Sequence, residues 1–159
     1  MKTSLKTALF TAIVLAPMAL LAADSGLRFV VVEQSAARAQ LPFSDAVQAG
    51  NTLYVSGTLG LDPSTLGEMK TARVPADPVA EARFALDAVK HTLEAAGFKM
   101  NELVAVQVYC TDLDLYATFN DVYRSYFPEH FPARAFIGVN KLVRGARFEV
   151  MATAVKGAN

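Results

Sequence analysis

Phe131-Pro-Ala-Arg-Ala-Phe-Ile-Gly-Val-Asn140, followed by Phe148-Glu-Val150, decides how this chain is read. Arg134 sits among Ala133, Ala135, Phe136, Ile137 and Val139, in a segment that otherwise reads as a buried strand. Glu149 sits in the next apolar run, Phe148-Glu-Val-Met-Ala-Thr-Ala-Val155. A guanidinium and a carboxylate in neighbouring buried strands are costly to desolvate unless each finds a partner. Two readings follow. Either the two groups satisfy one another or the backbone, or Arg134 holds an anionic ligand through its planar fork while Glu149 manages a proton or a water.

Working outward, Asp114 to Phe127 reads as a short helix stopped by Pro128, and Leu103-Val-Ala-Val-Gln-Val-Tyr-Cys110 as a strand. A longer helix precedes that strand. Asp77 is its N-cap and Pro78 its first position, with apolar residues at Val79, Ala82, Ala85, Leu86, Val89, Leu93 and Ala96 and a stop at Gly97. Further back, Asp45–Ala49, Gly50-Asn51 and Thr52–Ser56 form a hairpin whose second strand ends at Gly57. Leu59 to Glu68 is a turn-rich excursion, and Leu27 to Glu33 is an opening strand. The order β-β-β-α-β-α-β-β predicts a single α+β domain with a mixed β-sheet and two helices on one face. Aromatic and branched residues at both strand parities leave the other sheet face in need of cover, which points to self-association.

Residues 1–23 are set apart. Lys2 and Lys6 precede an apolar run from Ala8 to Leu21, with Ala22 and Ala23 before the change of composition at Asp24. This is the pattern of a cleavable signal peptide, and it predicts a periplasmic or secreted mature domain at 24–159 with no membrane association after cleavage. The full chain has fifteen basic and fifteen acidic residues, so losing Lys2 and Lys6 leaves a formal charge of −2. No basic stripe speaks for nucleic acid. The one cysteine, Cys110, has no partner for an internal disulfide and reads as a buried thiol. His91 and Glu94 share a helix turn without a third ligand, so no metal site is expected. His130 reads as a loop residue. Lys141, Arg144 and Arg147 read as a solvated basic loop, or as an attractor of anionic substrates.

Pro132-Ala-Arg-Ala-Phe-Ile-Gly-Val-Asn-Lys-Leu142 with Phe148-Glu149 closely resembles the signature of the RidA/YjgF family of reactive-intermediate (enamine/imine) deaminases. Val55-Ser-Gly57, Ala95-Ala-Gly97, Phe119–Phe127 and Glu129–Arg134 resemble other parts of the same pattern, over roughly residues 40–155. The resemblance implies a chorismate-mutase-like fold, a homotrimer with sites between subunits, and hydrolysis of 2-imino or 2-enamino acids to 2-keto acids and ammonia. It implies no cofactor. Arg134 would clamp the substrate carboxylate and Glu149 would orient the water. Ser56, Gly57, Asn120, Phe43 and Phe136 would line the substrate site.

Two positions depart from that pattern. Phe43 stands where many deaminating members carry a tyrosine, and Phe136 where many carry a cysteine, so a hydroxyl and a thiol are absent. Phe136 also adds bulk that would favour small substrates. Two classes of function therefore stand side by side: an exported imine deaminase, and a non-catalytic binding module for small carboxylates such as 2-keto acids, or a chaperone-like protein.

Overall fold

The computed structural model describes residues 26–32, 41–66 and 71–157. The expected signal segment 1–23 lies outside the described residues, as do residues 33–40 and 67–70 in the two irregular stretches. Strands β1 (Leu27–Val30), β2 (Ala46–Ala49) and β3 (Thr52–Leu59) come first. Helix α1 (Pro78–Ala95), β4 (Leu103–Cys110), helix α2 (Tyr116–Arg124), β5 (Ala133–Gly138) and β6 (Phe148–Val155) follow, in the anticipated order. The strands form one six-stranded sheet ordered β1-β2-β3-β6-β4-β5. Among the described residues only β4 and β5 run parallel, with α2 as their crossover.

Local chemistry explains the helices. The Asp77 carboxylate accepts from the backbone N–H of Val79 and Ala80 at the head of α1, where Pro78 has no N–H to lose. Such a cap contributes about 1 kcal/mol. Gly97, at φ +82°, ends the helix in a conformation that glycine adopts without strain. The apolar stripe of α1 from Ala82 to Ala96 packs with Phe119, Val122 and Tyr123 of α2 onto one sheet face, against Leu53, Val55, Val106, Val108, Phe148 and Val150, whereas Val79 is exposed. The other face is uncovered in a single copy: Phe29, Tyr54 and Met151 are exposed on it.

Four expectations need correction. The opening strand stops at Val30 instead of running to Glu33. The hairpin strand does not end at Gly57. Val55 pairs with Ala152 and Thr58 with Val150, so β3 carries an extra residue at Ser56-Gly57 and continues through a bulge to Leu59. Helix α2 is shorter than 114–127: Leu113–Leu115 is a 3-10 turn capped by Asp112, and beyond Arg124 the backbone bonds tighten to i−3 partners before Pro128. The strand around Arg134 is an edge strand, with Ala133, Ala135 and Gly138 exposed.

The buried ionic pair of the fold involves a different arginine. Glu81 of α1 has no exposure, and its carboxylate accepts from Arg147 N and Arg147 Nε, each at 2.6 Å, and from Phe148 N at 3.0 Å. This fastens the first turns of α1 to the entry of β6. Gly60 is required alongside, because a Cβ there would lie 2.0 Å from the Glu81 carbonyl oxygen. Arg147 is therefore structural, and Arg144 donates to the Ala72 carbonyl, so no solvated basic loop of three residues exists.

Candidate functional site

Arg134 projects from β5 toward α2. Its Nη2 donates to Asn120 Oδ1 at 2.6 Å. The guanidinium carbon lies 4.6 Å from the ring centre of Tyr123, 5.7 Å from that of Phe136 and 5.8 Å from that of Tyr116. Residues 116, 120 and 123 follow helical i, i+4, i+7 spacing, so α2 presents them together to the β5 edge. With Phe131 and Pro132 they line an open cleft of about 240 Å³ around the guanidinium. Aromatic faces steady the cation without consuming its N–H donors. Phe136 packs edge-on against Tyr116 and Phe119, so its bulk joins the wall beside Arg134.

In both neighbouring tyrosines burial raises the phenol pKa and the Arg134 charge lowers it, and the balance differs between them. The Tyr123 hydroxyl is the one buried side-chain polar atom without a hydrogen bond among the described residues, and burial pushes its pKa up to about 12. The Tyr116 phenol is held below its ordinary value, first by its hydrogen bond with Asn120 and then by the Arg134 charge.

Glu149 belongs to a second cluster. Its carboxylate lies over Gly57: a Cβ on Gly57 would stand 1.9 Å from Glu149 Oε1. The bulge at Ser56-Gly57 brings that bare backbone under the acid. Ser56 Oγ donates to the Ser44 carbonyl at 2.7 Å, tying β3 to the segment that carries Phe43. Phe43 is exposed, and with Phe29, Val31, Leu41, Pro42, Ser44, Val47 and Ser56 it lines a broader cleft of about 580 Å³. Ser56 thus spends its proton on the backbone and keeps acceptor capacity toward the cleft.

The two clusters do not meet within one chain. Arg134 is in register with Val106, and Val106 with Ala152, on the helix-covered face. Glu149 is in register with Tyr109, and Tyr109 with Ile137, on the uncovered face. Arg134 and Glu149 therefore lie two strands apart on opposite sides of the sheet, and mutual neutralisation of the pair is ruled out in a single copy.

Reading the sequence missed Tyr116, Tyr123 and Phe131. The helical spacing of Tyr116, Asn120 and Tyr123 was visible, but nothing in the sequence said that this stripe faces Arg134. Cys110 is the buried thiol expected: Sγ donates to the Asp112 carbonyl, and burial raises its pKa. His91 and His130 are exposed, and the described residues contain no group of three His, Cys, Asp or Glu side chains that could hold a metal ion.

The family described as Endoribonuclease L-PSP, which is the RidA/YjgF family, matches residues 33–156. This chain belongs to that family. The mouse RidA/YjgF protein named 2-iminobutanoate/2-iminopropanoate deaminase is 40% identical over 134 residues, covering 84% of this chain and 96% of its own length. The crystal structure of the Escherichia coli YjgF gene product superposes with TM-score 0.70 at 36% identity, covering 81% of this chain and 99% of that one. E. coli TdcF with bound serine superposes with TM-score 0.71 at 31% identity, covering 82% and 100%. The single domain, the two helices and the mixed six-stranded sheet are those of this RidA/YjgF, chorismate-mutase-like group.

Proposed function

We propose that this protein hydrolyses 2-imino and 2-enamino acids to 2-keto acids and ammonia, in sites completed between copies of the chain. The observation that carries this reading is the opposite-face placement of Arg134 and Glu149. One copy offers an open guanidinium in an aromatic cleft, and another offers a carboxylate over Gly57, the residue that follows Ser56 of the Phe43 cleft. The family's curated relatives named as deaminases support the general reaction. The serine bound to TdcF supports a small ligand bearing an α-carboxylate.

The chemistry follows from the parts. Arg134 clamps the substrate carboxylate with its fork, with Asn120 holding the guanidinium in place. This fixes C2 of the imine for attack. Glu149 of the neighbouring copy orients a water and takes its proton as the oxygen bonds to C2. The imine nitrogen takes a proton from solvent as the adduct forms, and Glu149 passes its proton to the amino group of the carbinolamine. The C–N bond breaks as the hydroxyl oxygen forms the carbonyl and its proton returns to solvent through Glu149, so that ammonia and the 2-keto acid leave. Imines hydrolyse readily in water, so positioning supplies most of what is needed, and no cofactor enters. Phe43 walls the site without a hydroxyl, and Phe136 occupies the place beside Arg134.

A homotrimer is the assembly we propose, its copies covering the sheet face that bears Tyr54 and Met151. Residues 1–23 would serve as the export signal, with the mature domain periplasmic or secreted. Protein sequencing of the mature N-terminus after expression tests this, and a retained Met1 would refute it.

The function is tested by ammonia release from 2-iminopropanoate generated in situ by an amino-acid oxidase. Arg134→Ala and Glu149→Gln should each abolish acceleration, and mixed assemblies of the two inactive variants should recover about a quarter of the wild-type rate, because some interfaces then pair intact halves. No recovery would refute the shared site. A second reading, a carboxylate-binding module without turnover, is favoured by the missing Phe43 hydroxyl. It predicts 2-keto-acid binding with no acceleration by the wild-type protein.

A further inference from the structure

Tyr116 stands at the mouth of the Arg134 cleft, on the first turn of α2. It is 48% exposed, and its ring packs edge-on to Phe136 with centroids 5.0 Å apart. Its ring centre lies 5.8 Å from the Arg134 guanidinium carbon, and Tyr116, Asn120 and Arg134 line the same cleft. Arginine can only donate, and Asn120 Oδ1 already accepts from Arg134 Nη2, so the phenol's O–H is left for an incoming acceptor. A substrate carboxylate on Arg134 supplies one: a bidentate fork takes two of its roughly four lone-pair sites and leaves others free.

We propose that Tyr116 is a second carboxylate-recognition residue, its hydroxyl donating to the substrate carboxylate that Arg134 clamps. The inference rests on the reading of Arg134 as the carboxylate clamp. It restores a phenolic donor to the site from the arginine side, where Phe43 on the other side has none.

The proposal has a pH signature. The charged groups acting on the phenol are Arg134 from β5 and Arg124 from α2, and the Tyr123 hydroxyl beside them titrates only near 12. The Tyr116 phenol, held below the ordinary tyrosine value, is the first of the two to ionise as pH rises. Ionisation removes the donor and sets a negative charge against the incoming carboxylate. Ligand affinity should therefore fall on the alkaline side, below pH 10.

The experiment measures 2-oxobutanoate binding by calorimetry from pH 7 to 10.5, using wild-type protein, Tyr116→Phe and Arg134→Ala. The ligand carboxylate stays ionised throughout, so changes belong to the protein. Tyr116→Phe keeps the ring that packs on Phe136, and an unchanged melting temperature verifies the fold. It should bind about tenfold more weakly at pH 7 and lose the alkaline fall, which wild type shows. In turnover it should raise KM far more than it lowers kcat. Wild-type-like affinity in Tyr116→Phe, or an alkaline fall that persists in it, overturns the Tyr116 role while leaving Arg134 as the clamp. Wild-type binding unaffected by Arg134→Ala, or no binding at all, overturns the clamp and Tyr116 with it.

Discussion

The Glu149 carboxylate occupies the space that a side chain on Gly57 would need, with Oε1 1.9 Å from the position of a Cβ. The bulge in β3 places that glycine, and the absence of a side chain lets an acid lie flat against backbone. Glycine is needed there for space. Gly57→Ala should displace Glu149 and lower kcat about a hundredfold, a loss of the size general-base groups commonly contribute. Far-UV circular dichroism should stay unchanged. Full activity in Gly57→Ala would mean that the carboxylate has no fixed catalytic position.

Asn120 holds Arg134 through a charge-assisted bond at 2.6 Å. Asn120→Ala should leave the arginine in place but free to swing within its aromatic walls. The expected result is a rise of about tenfold in KM with a smaller change in kcat, measured by steady-state ammonia release. Asn120→Asp should be worse for the substrate, because a paired carboxylate competes for the fork.

Tyr54 and Met151 lie exposed on the sheet face away from the helices. Tyr54→Lys combined with Met151→Glu should place two solvated charges on that surface. If copies assemble through it, sedimentation velocity should show a smaller species and activity should vanish with it. An unchanged sedimentation coefficient would place the contact elsewhere.

Glu81 and Arg147 carry a stability prediction. Arg147→Ala strips the partner from a carboxylate with no exposure, and loss of one member of a buried pair costs roughly 3–5 kcal/mol. Urea unfolding should show a large drop in midpoint with an unchanged slope. A change under 1 kcal/mol would mean that the Arg147 and Phe148 backbone N–H groups satisfy Glu81 unaided.

Much of this was legible in the sequence because local rules agreed. Asp77-Pro78 with the stripe ending at Gly97 marks α1, and Leu103–Cys110 coincides with β4. The alternation of Phe148, Val150, Ala152 and Ala154 marks the inner side of β6. What was not legible depends on long-range placement. Nothing local says that Glu81 on α1 binds Arg147, 66 positions away. The Ser56-Gly57 bulge arises from pairing with β6, and the strand sequence alone reads as an ending. Likewise, Arg134 and Glu149 look like neighbours in adjacent runs, and only the register reveals that the sheet stands between them.

That intervening sheet has a kinetic consequence. If each reaction centre draws its two halves from different chains, catalysis per molecule ceases to be constant on dilution. Below the concentration at which copies separate, every protomer still carries all of its residues and catalyses nothing. The rate then falls more steeply than protein concentration, and saturating substrate, by bridging the halves, should slow that loss.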